Sequence, residues 1–262
     1  MRRRINVLAG RGSVAQGAWG AGAARSARAD AVGRLASIAA VVATAAGLAF
    51  AAVPAHAEVA AADPIDTGMR TCLARADRSS TAGQVQCMDE SRTAWHGAAD
   101  AALDQLLAKL PPAQQRRWRT SQQRWNAWRD AEDPMLAAVF ATTRGSTYVI
   151  YQADMRLQPV RDRALALRAE AARTTPGQPL PHVRSCSADA RCEHATYDLN
   201  RYYRRLYARM PAHSRATLVR AQHAWRLYRD ATLPLVDEHA RLDLLGARLA
   251  TLKRLSETVG NH

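Results

Sequence analysis

Signatures of catalysis are missing from this chain. It has no Gly-x-Ser-x-Gly turn to present a nucleophile, no phosphate-binding glycine loop, no His-Glu-x-x-His and no glycine-rich dinucleotide fingerprint. Its four cysteines never fall at Cys-x-x-Cys spacing, and the histidines are scattered, which excludes the common zinc arrangements. His239 and Asp243 lie four apart on a helical stretch, too few ligands for a metal. Glu132 and Asp133 are adjacent acids with no identifiable partner, and they read as a solvated helix end. No stretch alternates apolar and polar residues as a half-buried strand would. After the first sixty or so residues no apolar run is long enough to span a bilayer. These absences turn the reading away from enzymes, and no catalytic, cofactor-binding or metal-binding residue is assigned.

What is present begins with a leader. An arginine-bearing stretch up to Arg34 runs into a nearly uncharged segment from Leu35 to Val53, then Pro54-Ala55-His56-Ala57. This pattern predicts a secretory signal peptide, residues 1–57, cleaved after the Ala-x-Ala step at Ala57. Its alanine-rich, weakly hydrophobic make-up favours removal over retention as an anchor, and no cysteine follows it to carry a lipid. The expected location is periplasmic or secreted. The leader holds seven arginines and one aspartate, a net +6, so the rest of the +14 chain carries +8. Such a field favours anionic partners, although most of the arginines are interspersed with acids as on any solvated helical surface. An exported location argues against nucleic acid.

One motif occurs twice, a hundred residues apart: Gln122-Gln123-Arg124-Trp125-Asn126-Ala127-Trp128-Arg129-Asp130-Ala131 and Gln222-His223-Ala224-Trp225-Arg226-Leu227-Tyr228-Arg229-Asp230-Ala231. The offset also joins Leu106 to Leu206, Leu110-Pro111 to Met210-Pro211 and Pro134 to Pro234, so the chain reads as an internal duplication. Each copy opens with two cysteines, Cys72 and Cys87, then Cys186 and Cys192. An even number in an exported chain predicts disulfides, here the two local ones. Between the copies Thr174-Thr175-Pro176-Gly177-Gln178-Pro179-Leu180-Pro181 reads as a linker. The expected organisation is a flexible stretch over 58–69, a first domain over 70–173, the linker over 174–181 and a second domain over 182–262.

Within each copy the apolar period is helical. Trp95, Ala99, Leu103, Leu106 and Leu110 recur at three or four residues before Pro111-Pro112, as Leu199, Tyr202, Leu206 and Met210 do before Pro211. A second helix carries Trp118, Trp125 and Trp128 on one face, matched by Leu218, Trp225 and Tyr228. The pattern should bend or restart at Pro134 and Pro234. A third helix is expected over Tyr148–Ala172, broken near Pro159, and over Arg241–Thr258 in the second copy. The fold class is therefore all-α: two tandem small bundles, each an antiparallel helix hairpin with a third helix against it.

A tryptophan stripe at this spacing reads as core. The Arg-Asp step that follows it, Arg129-Asp130 and Arg229-Asp230, is not catalytic, because neighbouring residues on a helix point apart. Ion pairs across helices are expected instead, Asp130 with Arg156 and Asp230 with Arg248. Arg201, Arg204, Arg205 and Arg209 fall at helical spacing and form the candidate anion-facing stripe.

The order Cys87, then Leu106-Leu107-Ala108-Lys109-Leu110-Pro111-Pro112, then Ser121-Gln122-Gln123-Arg124-Trp125-x-x-Trp128-Arg129-Asp130-Ala131-Glu132, then Gly145-Ser146 and Met155-Arg156-Leu157 resembles the LprI-type lysozyme-inhibitor domain. The second copy resembles it in Asp198-Leu199-Asn200-x-x-Tyr203, Leu206 and Ala221-Gln222-x-x-Trp225-x-x-Tyr228-Arg229-Asp230-Ala231, then diverges. The resemblance implies an exported, all-helical, cysteine-containing domain and points to lysozyme inhibition. Members of the family carry a cysteine after Arg-Asp-Ala-Glu and another in the third helix, where this chain has Asp133 or Leu233 and, near the latter, Asp154. Two functions follow as expectations: a non-enzymatic inhibitor of a lysozyme-like glycosidase, or an envelope module whose arginine surface holds an anionic polymer, lipid or acidic protein.

Overall fold

The computed structural model describes residues 62–261. Seven α-helices account for most of them: α1 (Pro64–Leu73), α2 (Thr81–Leu107), α3 (Pro112–Phe140), α4 (Ser146–Arg173), α5 (Ala190–Arg209), α6 (Arg215–Thr232) and α7 (Glu238–Thr258). Among the described residues there is no strand, and no helix is long and apolar enough to cross a membrane. The signal peptide expected over 1–57 lies outside the described residues.

Helix starts follow from side chains that satisfy free backbone N–H groups. The carboxylate of Asp63 accepts from the Ile65 amide at 2.8 Å, with Pro64 in the first turn. Ser80 accepts from Gly83 at 3.1 Å to open α2, and Asp237 from Ala240 at 2.8 Å to open α7. Gly83 lets α2 start hard against the preceding turn, since a Cβ there would come within 2.7 Å of the Arg78 Cα. Gly145, with φ 105°, reverses the chain between α3 and α4.

The stretch over 58–69, expected to be flexible, already contains most of α1. Two ion pairs fasten that helix to α4, Asp66 to Arg161 at 2.7 Å and Asp63 to Arg168 at 2.6 Å. A disulfide from Cys72 to Cys87 ties it to α2, and Cys186 is bonded to Cys192 at the entry to α5. The helices expected to break at proline divide unequally. α3 runs through Pro134, which is exposed, so the carbonyl it leaves free can reach solvent; α4 runs through Pro159. In the second half α6 does end at Thr232, and a short 3-10 turn over Leu233–Leu235 leads to α7.

The fold is all-α in two tandem halves, and they share packing across their boundary. In each half the first long helix lies along the third, α2 on α4 and α5 on α7, and the tryptophan-bearing helix of each half packs chiefly on its counterpart, α3 on α6. The reason is the width of the apolar surface on α3 and α6. Trp118, Trp125, Trp128 and Leu218, Trp225, Tyr228 are all buried, and one α2 or α5 cannot cover them. A single apolar core runs through both halves, and the described residues form one compact unit. Residues 174–185 cross between the halves with one turn at Pro176-Gly177 and no helix.

Candidate functional site

The two halves meet at Trp128 and Tyr228, residues at the same place in the duplicated motif. Their rings stack 5.5 Å apart and within 4° of parallel. Around this stack the hundred-residue echo becomes a local two-fold relation between polar contacts. Arg163 on α4 donates through Nε to Gln122 at 2.9 Å, and Arg248 on α7 donates through Nε to Gln222 at 3.0 Å. Lys109 at the end of α2 donates to the Ala171 carbonyl at 2.6 Å, and Arg209 at the end of α5 donates to the carbonyls of Ser256 and Val259 at 2.7 and 2.9 Å. Each of these cations thus satisfies the free carbonyls at the end of its half's third helix.

The relation fails at Glu132 and at Ser121, whose counterpart is Ala221. Glu132 is 1% exposed and accepts from Trp128 Nε1 at 2.9 Å and from Arg248 Nη1 at 2.5 Å; the Arg248 side chain is 0% exposed. Its counterpart is Thr232, which shares a hydrogen bond with Ser121 at 2.7 Å. Ser121 in turn accepts from Arg163 Nη2 at 3.2 Å, and Tyr228 accepts from Arg163 Nη1 at 3.4 Å. So Arg248 is neutralised by a carboxylate from the other half. Arg163, equally buried, has only neutral acceptors, and among the described residues no carboxylate lies within 4.0 Å of it. Burial therefore lowers the Arg163 pKa, opposed only by Tyr228.

Several sequence expectations are corrected here. Glu132 is no solvated helix end, because the residue four after Trp128 lies on the same buried face. Asp130 and Asp230, two residues after their aromatics, point away and are exposed. Arg156 faces Asp133 at 3.5 Å instead of Asp130, Asp230 pairs with its neighbour Arg229 at 2.7 Å, and Arg248 takes Glu132. Arg129 and Arg229 lie over Trp128 and Trp225, with guanidinium carbons 5.2 and 5.3 Å from the ring centres. Burial lowers the Arg129 pKa, countered by Glu132 and then Asp133.

In the arginine stripe, Arg209 is committed to the end of α7, and Arg201 contacts Asp198 at 3.4 Å. Arg204 and Arg205 remain exposed, without an acid within 4.0 Å among the described residues. No group of three or more potential metal ligands occurs among the described residues. The sequence reading missed Glu132 and Arg163 as a contrasting pair. The signal available was Thr232 at the position of Glu132, directly after the Arg-Asp-Ala that both copies share.

Comparison with known proteins agrees with this duplicated plan. The family model described as lysozyme inhibitor LprI matches residues 72–167 and matches again over 177–258. An uncharacterized protein from Burkholderia thailandensis, solved by crystallography, is 56% identical, with a TM-score of 0.73 over 77% of this chain and 100% of that one. No curated protein matches. With both halves matched by one family, the chain belongs to the LprI lysozyme inhibitor family.

Proposed function

We propose that this protein is exported to the periplasm or beyond, with cleavage after Ala57, and there binds and inhibits a lysozyme-like muramidase without catalysing a reaction of its own. The observation that carries the reading is the family match in both halves. The geometry supports it in one respect. The motif's most deeply buried polar groups hold the halves together, which leaves recognition of a protein partner to the outer surface. That surface exposes large apolar side chains suited to a protein contact, among them Val149 and Tyr151 on α4 and Tyr197 on α5. The test is a muramidase assay with purified residues 58–262. Lysis of a peptidoglycan substrate should slow in proportion to added protein, and unchanged lysis at micromolar protein would sink the reading.

Exposed Arg204 and Arg205, with a net charge of +8 after the leader, favour a second reading, an envelope module that holds an anionic polymer, lipid or acidic protein. Binding of that kind weakens steeply with salt and with Arg201, Arg204 and Arg205 replaced together. Salt-independent binding would contradict it.

A further inference from the structure

A groove of about 610 Å³ opens beside the seam, between α4 and α7, with the Trp128–Tyr228 stack between them. Its walls include Ala166 and Ala169 on α4 and Leu244, Ala247 and Ala250 on α7, with Asp162, Glu170 and Arg173 from α4 and Asp243 and Arg254 from α7 also lining it. Bulky side chains at these positions would fill the space between α4 and α7, and alanines leave it open. The volume lies in the range of small-molecule sites, and walls of this kind with a few deep polar groups are their usual make-up.

Both buried guanidiniums line this groove. Arg248 has its carboxylate in Glu132, yet its Nη2 has no hydrogen-bond partner. Arg163 has three neutral acceptors and no carboxylate. A buried cation without a counter-charge is costly, and the cost falls when an anion reaches it in a site that excludes water. Beside Arg248 the equivalent place holds a single carboxylate, and beside Arg163 it holds only the shorter hydroxyl side chain of Thr232.

We propose that the groove binds a small molecule with an apolar body and one carboxylate, and that the carboxylate takes the place beside Arg163 that Glu132 takes beside Arg248. One uncompensated guanidinium calls for a monoanion, and the alanine walls call for an apolar body. The site is separate from muramidase inhibition, and neither reading depends on the other.

The test is calorimetric titration of the exported protein with naphthoate and with its neutral amide, naphthamide. Naphthoate should bind saturably with one site, and naphthamide should bind at least about tenfold more weakly. Thr232→Glu puts an internal carboxylate where the ligand's would sit, and should weaken naphthoate binding by a similar factor. Should helical circular dichroism show that variant unfolded, Ala166→Trp serves instead, because Ala166 is exposed on the groove wall and a large ring there fills the space. Absence of saturable naphthoate binding, equal affinity for the amide, or undiminished binding in the folded variant would each overturn the proposal.

Discussion

At the scale of single residues, the deciding contrast is between Glu132 and Thr232. Four residues beyond an aromatic in the same motif, one buries a carboxylate against Arg248 and the other a hydroxyl beside Ser121. Removing the carboxylate alone strands a charge with no access to water. Glu132→Gln should therefore cost about 3–5 kcal/mol in urea unfolding, whereas replacing the pair together by Leu and Met should cost far less. Equal losses in the single and double variants would show that the pair's charge is not what matters. The tryptophans carry a different kind of energy. Trp125→Ala and Trp225→Ala each empty a volume that the surrounding helices cannot close, with an expected loss of about 3–5 kcal/mol in the same measurement. A mutant that kept full stability would place its ring outside the core.

At the scale of elements, α1 is the most separable piece. It is held by the Cys72–Cys87 disulfide and by two ion pairs to α4, and it buries none of its own residues fully. The hydrogen bond from Arg161 holds the Asp66 carboxyl below its ordinary value of 3.8. A carboxylate with a lowered folded pKa stabilises above its unfolded pKa, and that contribution is lost as pH falls through the folded value. Hydrogen-exchange protection of α1 should accordingly fade below pH 3.8, and Asp66→Asn should remove the pH dependence. In the mutant, reduction of the disulfide should lower that protection further, leaving only the Asp63–Arg168 pair and the packing of Ile65 and Met69 to hold the helix. This element was passed over in the sequence although Ile65, Met69, Cys72 and Leu73 recur at helical spacing, because a helix of only ten residues is marginal until its acids meet Arg161 and Arg168. The long helices were legible from their apolar period, as were the disulfides from cysteine placement. Their partners were not. Period alone shows that α3 has a buried face, and only the width of the Trp118, Trp125 and Trp128 surface requires a second half to cover it. For the same reason the sequence placed Arg248 in an ion pair across helices but chose Asp230, the nearer acid along the chain, over Glu132 from the other half.

At the scale of the whole molecule, the halves are not independent domains joined by a tether. The seam holds the α3–α6 contact, the Trp128–Tyr228 stack and the Glu132–Arg248 pair, so each half lacks part of its core when alone. Residues 58–173 and 182–262 expressed separately should show poor cooperativity in thermal unfolding and regain it when mixed. Two independent sharp transitions would contradict this. The seam has one more consequence. Its contacts are indifferent to whether both halves belong to one chain, and residues 174–185 cross between them without regular structure. Two molecules can therefore trade second halves at no loss of contacts, which makes the reciprocal exchanged dimer the natural off-pathway product of refolding at high concentration.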